Sequence, residues 1–157
     1  MGITAQGLVD AVHYASGAAV SFARGLNDTP KIVGLLLVVK ALNIHVSMLA
    51  IALVIALGGL LNARKVAETM SKKIAKMNDG QALTANLVTA FMVIFASRFG
   101  MPVSTTHVSV GAITGIGIVN GSADRRVIQK ILLSWVMTLP LAAAIAAAVY
   151  ATLRALG

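Results

Sequence analysis

Long apolar runs, interrupted at two short polar segments, constrain this chain more than any other feature. The segments are Asn27-Asp28-Thr29-Pro30 and Pro102-Val103-Ser104-Thr105-Thr106-His107. Each sets hydroxyls, an amide or a carboxylate where hydrocarbon is expected, and each is followed by a further helix-forming run. In a bilayer, backbone can be broken only where it is buried in protein or lines a cavity, because lipid offers no hydrogen-bond partner. The two interruptions therefore read as halves of one binding site. Helix N-termini carry partial positive charge and free N–H groups, so the ligand suited to such a site is an anion.

Composition fixes the solvent. Of 157 residues, 58% are hydrophobic and only 11% charged, with a mean hydropathy of +0.88. A soluble domain carries about 25% charged residues. The expectation is an all-α polytopic membrane protein with broken or re-entrant helices, forming a single transmembrane domain over residues 1–157. The first residues, Met1-Gly2-Ile3-Thr4-Ala5-Gln6-Gly7, lack the basic region of a cleavable signal peptide. Cysteine is absent, which removes disulfides and thiolate metal ligands.

The net charge of +8 invites a nucleic-acid reading, and its distribution argues against it. Arg64, Lys65, Lys72, Lys73 and Lys76 lie in one loop, and Arg125, Arg126 and Lys130 in another. Basic clusters bordering apolar spans mark cytoplasmic loops. No nucleic-acid partner is expected.

Residues 8–24 are apolar and small, with a break expected at 25–29. Thr29 then caps a helix that begins at Pro30 and runs to about Leu42. Residues 44–61 form an apolar run of 18, near the ~20 needed to span. Residues 62–80 read as a polar loop whose centre forms a short interfacial helix. Its apolar side would carry Val66, Met70, Ile74 and Met77, with Lys73 intruding and Glu68 paired to Lys72. Residues 82–97 are apolar, break at Phe99-Gly100-Met101-Pro102, and give way to a helix over 103–119. If the loops 62–80 and 120–130 are both cytoplasmic, the intervening pair enters and leaves on one side, as a re-entrant hairpin does. Residues 131–153 span once more and put the C-terminus outside.

Ser104, Thr105 and Thr106 offer consecutive hydroxyls at a helix start. Neutral donors can surround a tetrahedral oxyanion with a smaller desolvation cost than full charges. The competing reading is the cap of a kinked helix, its spare hydroxyls bonded back to carbonyls. Asp28 is a carboxylate at membrane depth, which is functional by default, the competing reading being a cap of the helix that starts at Pro30. It can ligate a cation, accept a proton or take a hydrogen bond from a protonated anion, and as a bare anion it needs a cation or proton beside it. Arg24 and Arg98 can attract the anion, although such arginines more often snorkel to the interface. His107 can relay protons, or equally stand as a satisfied buried histidine. The depths of Lys31 and Lys40 are not fixed by the pattern. Gly111 and Gly115 form a GxxxG step, with Gly117 nearby, suited to close helix contact. With only five acids, no glycine-rich phosphate loop and no metal-ligand spacing, an enzyme is not expected.

The run Ser21-Phe22-Ala23-Arg24-Gly25-Leu26-Asn27-Asp28, followed by Gly100-Met101-Pro102-Val103-Ser104-Thr105-Thr106-His107, closely resembles the inorganic phosphate transporter (PiT, or phosphate permease) family. The intervening Asn62-Ala63-Arg64-Lys65-Val66-Ala67-Glu68-Thr69 fits as well, and the resemblance extends from about residue 8 to 153. It implies secondary transport of inorganic phosphate with sodium ions or protons, by two inverted repeats that each carry both motifs. By motif match, Asn27, Ser104, Thr105 and Thr106 would bind phosphate. Asp28, with Asn27, would couple the cation or proton, Asp28 being the candidate sodium ligand. Arg24, Arg98 and His107 are accessory candidates. No cofactor is implied beyond the coupling ion.

Each motif occurs once here, so the chain resembles one repeat, and Gly25-Leu26-Asn27-Asp28-Thr29-Pro30-Lys31 resembles the C-terminal one. The implied partners are phosphate, membrane lipid and a second repeat, either a missing N-terminal half or another copy in a homodimer. The implied location is the prokaryotic plasma membrane, crossed several times. The alternatives are transport of sulfate or another tetrahedral oxyanion, a passive anion channel, or a non-transporting half that needs a partner repeat.

Overall fold

A computed structural model describes residues 5–36 and 43–156. The described residues are mostly helical, with no strand among them, and fall into two contact units, residues 1–123 and residues 124–157. The first unit holds α1 (Ala5–Leu36), α2 (Ile44–Glu68), a π-helical turn (Thr69–Lys73), α3 (Asp79–Arg98) and α4 (Thr105–Val119). The second is α5 (Arg125–Leu156), whose first turn is capped by Asp124 accepting from the Arg126 and Val127 amides. The stretch expected to carry a helix to Leu42 lies, from residue 37 on, outside the described residues.

Within the first unit, α1 is the axis. It packs on α2, α3 and α4. Ser16, Ala23, Asn27 and Val33 are its buried residues, and small side chains on α3 (Ala85, Ala90, Ala96) admit a close approach. Asn86 of α3 donates to Ser16 Oγ at 3.1 Å, and that hydroxyl donates on to the His13 carbonyl. A polar bond of this kind fixes rotation and register where apolar packing alone would let helices slide.

Asn27 to Pro30 does not break the helix. α1 runs 32 residues with Pro30 inside it. Proline removes one N–H, here the one that would reach the Leu26 carbonyl, and clashes with the preceding turn. That cost is local, whereas ending the helix would strand several backbone groups in an apolar setting. Thr29 is accordingly not a cap. The site is left with one helix N-terminus instead of the expected two.

The second interruption is a true break. α3 ends in a Schellman motif: Gly100, at φ +67°, donates to the Ser97 carbonyl, and Met101 donates to Ala96 at 2.9 Å. Pro102 cannot extend that helix, and Ser104 caps the next one. α3 and α4 then run antiparallel, since Asn120 at the end of α4 donates to Gln81 at the start of α3. Ser122 and Asn120 also donate to the Lys76 carbonyl, so the two polar loops meet at the end of the hairpin away from the break.

Three helical stretches are long and apolar enough to cross a membrane among the described residues: Ile44–Asn62, Asp79–Arg98 and Arg125–Ala155. Leu49, Leu53, Leu57, Leu60 and Leu61 of α2 are exposed, a surface stable against lipid or another helix and not against water. The chain is a membrane protein. At 15 residues, α4 is about 22 Å long, short of the ~30 Å hydrocarbon thickness.

The expected interfacial helix in the 62–80 loop is instead the tail of α2, which closes in the π-helical turn. Glu68 pairs with Arg64 at 3.3 Å, not with Lys72. Arg64 lies one α-turn back on the same face, while the wider π-turn carries Lys72 off that line. Ile74 and Ala75 after the turn are buried. Close contact falls on Gly117, where an added Cβ would sit 2.7 Å from Ala75 Cβ. Gly111 and Gly115 do not provide it; they line an open groove of about 370 Å³ between α3 and α4.

Candidate functional site

The two motifs meet in space. Asn27, on the buried face of α1, donates from Nδ2 to the Val103 carbonyl at 2.6 Å and to Asp28 Oδ1 at 3.2 Å. Its Oδ1 lies 3.3 Å from Ser97 Oγ of α3, whose single hydrogen is shared with the nearer Val93 carbonyl at 2.8 Å. One amide thus ties α1, α3 and the break segment together, using its donor and acceptor ends on different partners.

Asp28 is partly buried and both of its oxygens are engaged. Oδ1 lies 2.8 Å from Lys31 Nζ, and Oδ2 accepts from Thr105 Oγ1 at 3.2 Å. Lys31 reaches across as well, donating to the Val103 carbonyl at 2.6 Å. That carbonyl therefore accepts from both Asn27 and Lys31 directly before the start of α4. A carboxylate in an apolar protein needs a counter-charge, and Lys31, one turn further along α1, supplies it.

The three consecutive hydroxyls diverge, because successive residues in the first helical turn point about 100° apart. Ser104 Oγ accepts from the His107 amide at 3.3 Å and lies 2.5 Å from His107 Nδ1. Thr105 is buried and turned to Asp28, while Thr106 is exposed. The first intrahelical bond of α4 runs from Val108 to the Ser104 carbonyl. The Thr105 and Thr106 amides precede it and belong to the positive end of the helix.

Beside this cluster is a cavity of about 250 Å³ lined by Leu26, Asn27, Pro30, Lys31, Ser97, Gly100, Met101 and Pro102. Its walls come from α1, the end of α3 and the break, so it opens beside the two motifs. Arg24 is partly buried on α1 with Nε unpartnered, and Arg98 is exposed in the last turn of α3. Neither is hydrogen-bonded to the cluster among the described residues. No cluster of His, Asp and Glu able to hold a metal occurs among the described residues.

Sequence reasoning singled out Asn27, Asp28 and Thr105, which the structure joins. Lys31 is a further member of the cluster, and its spacing of one turn from Asp28 is the sequence signal that points to it. Ser97 and the Val103 carbonyl carried no comparable signal, since their partners lie 70 or more residues away.

The model of the phosphate transporter family matches residues 2–146. A Pyrococcus furiosus relative with a phosphate-permease name is 33% identical over 92% of this chain and 38% of its own length. A Thermococcus kodakarensis relative of similar name is 32% identical over 88% of this chain and 37% of its own length. The low-affinity inorganic phosphate transporter PitB of Escherichia coli K12 is 38% identical over 66% of this chain and 21% of its own length. The chain therefore spans less than two-fifths of these relatives. No solved structure matches it significantly.

Proposed function

Because this chain belongs to the phosphate transporter family, we propose that it is one repeat of a cation-coupled secondary transporter of inorganic phosphate in the plasma membrane. The observation that carries the reading is the convergence of Asn27, Asp28 and Lys31 on Val103 and Thr105, next to a helix N-terminus and an open cavity. Phosphate would lie at the start of α4, taking hydrogen bonds from the free amides there and from Thr106, with Ser104, Thr105 and Asn27 at its edge. Lys31 offsets the charge of Asp28, so the anion is not repelled from the cavity. Asp28 receives the coupling sodium ion or proton, and each bound partner raises the affinity of the other.

A second repeat, from the rest of a longer protein or from another copy, completes the pathway, and rocking of one repeat on the other exposes the site alternately. The basic loops face the cytoplasm.

Radiolabelled phosphate uptake into proteoliposomes tests this, with sodium and proton gradients imposed separately. Gradient-driven uptake that Asp28→Asn abolishes is the expected result. Uptake that follows the phosphate gradient alone would make the protein a passive channel, and preference for sulfate would overturn the substrate.

A further inference from the structure

We propose that the Lys31 ammonium is a tethered cation occupying the seat of the coupling ion, and that a free monovalent cation enters only when Lys31 leaves. The inference rests on the reading of Asp28 as the coupling group and names what regulates that site.

The Asp28 carboxylate and the Val103 carbonyl come from different elements and converge on one nitrogen, at 2.8 and 2.6 Å. A carboxylate oxygen and a backbone carbonyl are the hard oxygen ligands that an alkali cation takes, and here a lysine fills the gap between them. With Lys31 in place the pair is neutral, so a second cation gains nothing by entering and meets repulsion from the ammonium. Lysine can hold and also vacate such a position, since its charge is compact and its four-carbon stem is flexible. The side chain is one-third exposed and lines the cavity, which leaves it room to turn.

An oxyanion that enters by that cavity and settles at the start of α4 offers the ammonium another partner. As Lys31 turns to the anion, Asp28 and Val103 lose their cation while Asn27 still holds the Val103 carbonyl. The vacated oxygens then accept a sodium ion. Anion binding thus creates the cation seat, and the order of events follows from one side chain changing partners.

Sodium binding to the purified chain in detergent, followed by titration calorimetry with choline as the balancing cation, decides the matter. Without phosphate, Lys31→Met should bind sodium about tenfold more tightly than the wild type, within the usual range of coupling between sites. Lys31→Gln, which keeps a neutral donor for the Val103 carbonyl, should do the same. Lys31→Arg should bind sodium as weakly as the wild type, and adding Asp28→Asn to Lys31→Met should remove the gain. Wild-type protein should gain sodium affinity when inorganic phosphate is added. Unchanged sodium affinity in both neutral variants, with helicity intact by circular dichroism, would overturn the proposal. The phosphate-free arms decide the role of Lys31 even if phosphate never binds, an outcome that would count against the transport reading alone.

Discussion

Asn27 holds more of this structure together than its size suggests. It is 5% exposed and bridges Asp28, Ser97 and the Val103 carbonyl. Replacing it with alanine removes these bonds while Lys31 still serves Asp28 and the Val103 carbonyl and Ser97 still donates to Val93, so the cost is about 0.5–1.5 kcal/mol for each bond lost. Asn27→Ala should therefore lower thermal stability in detergent measurably, and Ser97→Ala should lower it less. Gly117 is the second sensitive position. Gly117→Ala drives a methyl into Ala75 and the Ala123 backbone and should cost about 1–3 kcal/mol, while Gly111→Ala, with open space around it, should be near neutral. The same thermal melts check both. Sequence alone revealed Asn27 and Asp28, because polar groups stand out in an apolar run. A backbone carbonyl such as Val103 has no sequence identity, so the point where the motifs meet could not be read in advance.

The elements differ in how well their ends were written into the sequence. Gly100 and Pro102 mark a break because one supplies the left-handed turn and the other cannot continue a helix, and both signals agree. Pro30 is ambiguous: proline suits the first turn of a helix and is also tolerated inside a long membrane helix. What decides is tertiary, the tie from Asn27 and Lys31 to the break segment. Pro30→Ala restores an N–H to the Leu26 carbonyl and should leave stability unchanged or raised. Loss of more than about 2 kcal/mol would instead mark Pro30 as a required helix start. Gly100→Ala should cost roughly 1 kcal/mol through its positive φ. Glu68 pairs with Arg64 and not Lys72 for a related reason, since a π-turn has no sequence signature that separates it from continued α-helix.

At the scale of the whole molecule, composition alone identified a membrane protein, and the two motifs identified the family. The chain spans less than two-fifths of its relatives. Its α2 presents a row of exposed leucines, and its site is built from one helix N-terminus. A second repeat contributing another set of donors fits both facts and is part of the proposed working transporter. Within that proposed transporter, this chain would carry a phosphate site whose occupancy is linked to a cation through Asp28. Equilibrium binding of radiolabelled phosphate to the purified chain, with and without sodium and at two pH values, measures that linkage most directly. Saturable binding that sodium or protons strengthen is expected, with the dependence lost in Asp28→Asn. Absence of saturable binding by well-folded protein, or binding indifferent to Asp28→Asn, would contradict the proposal.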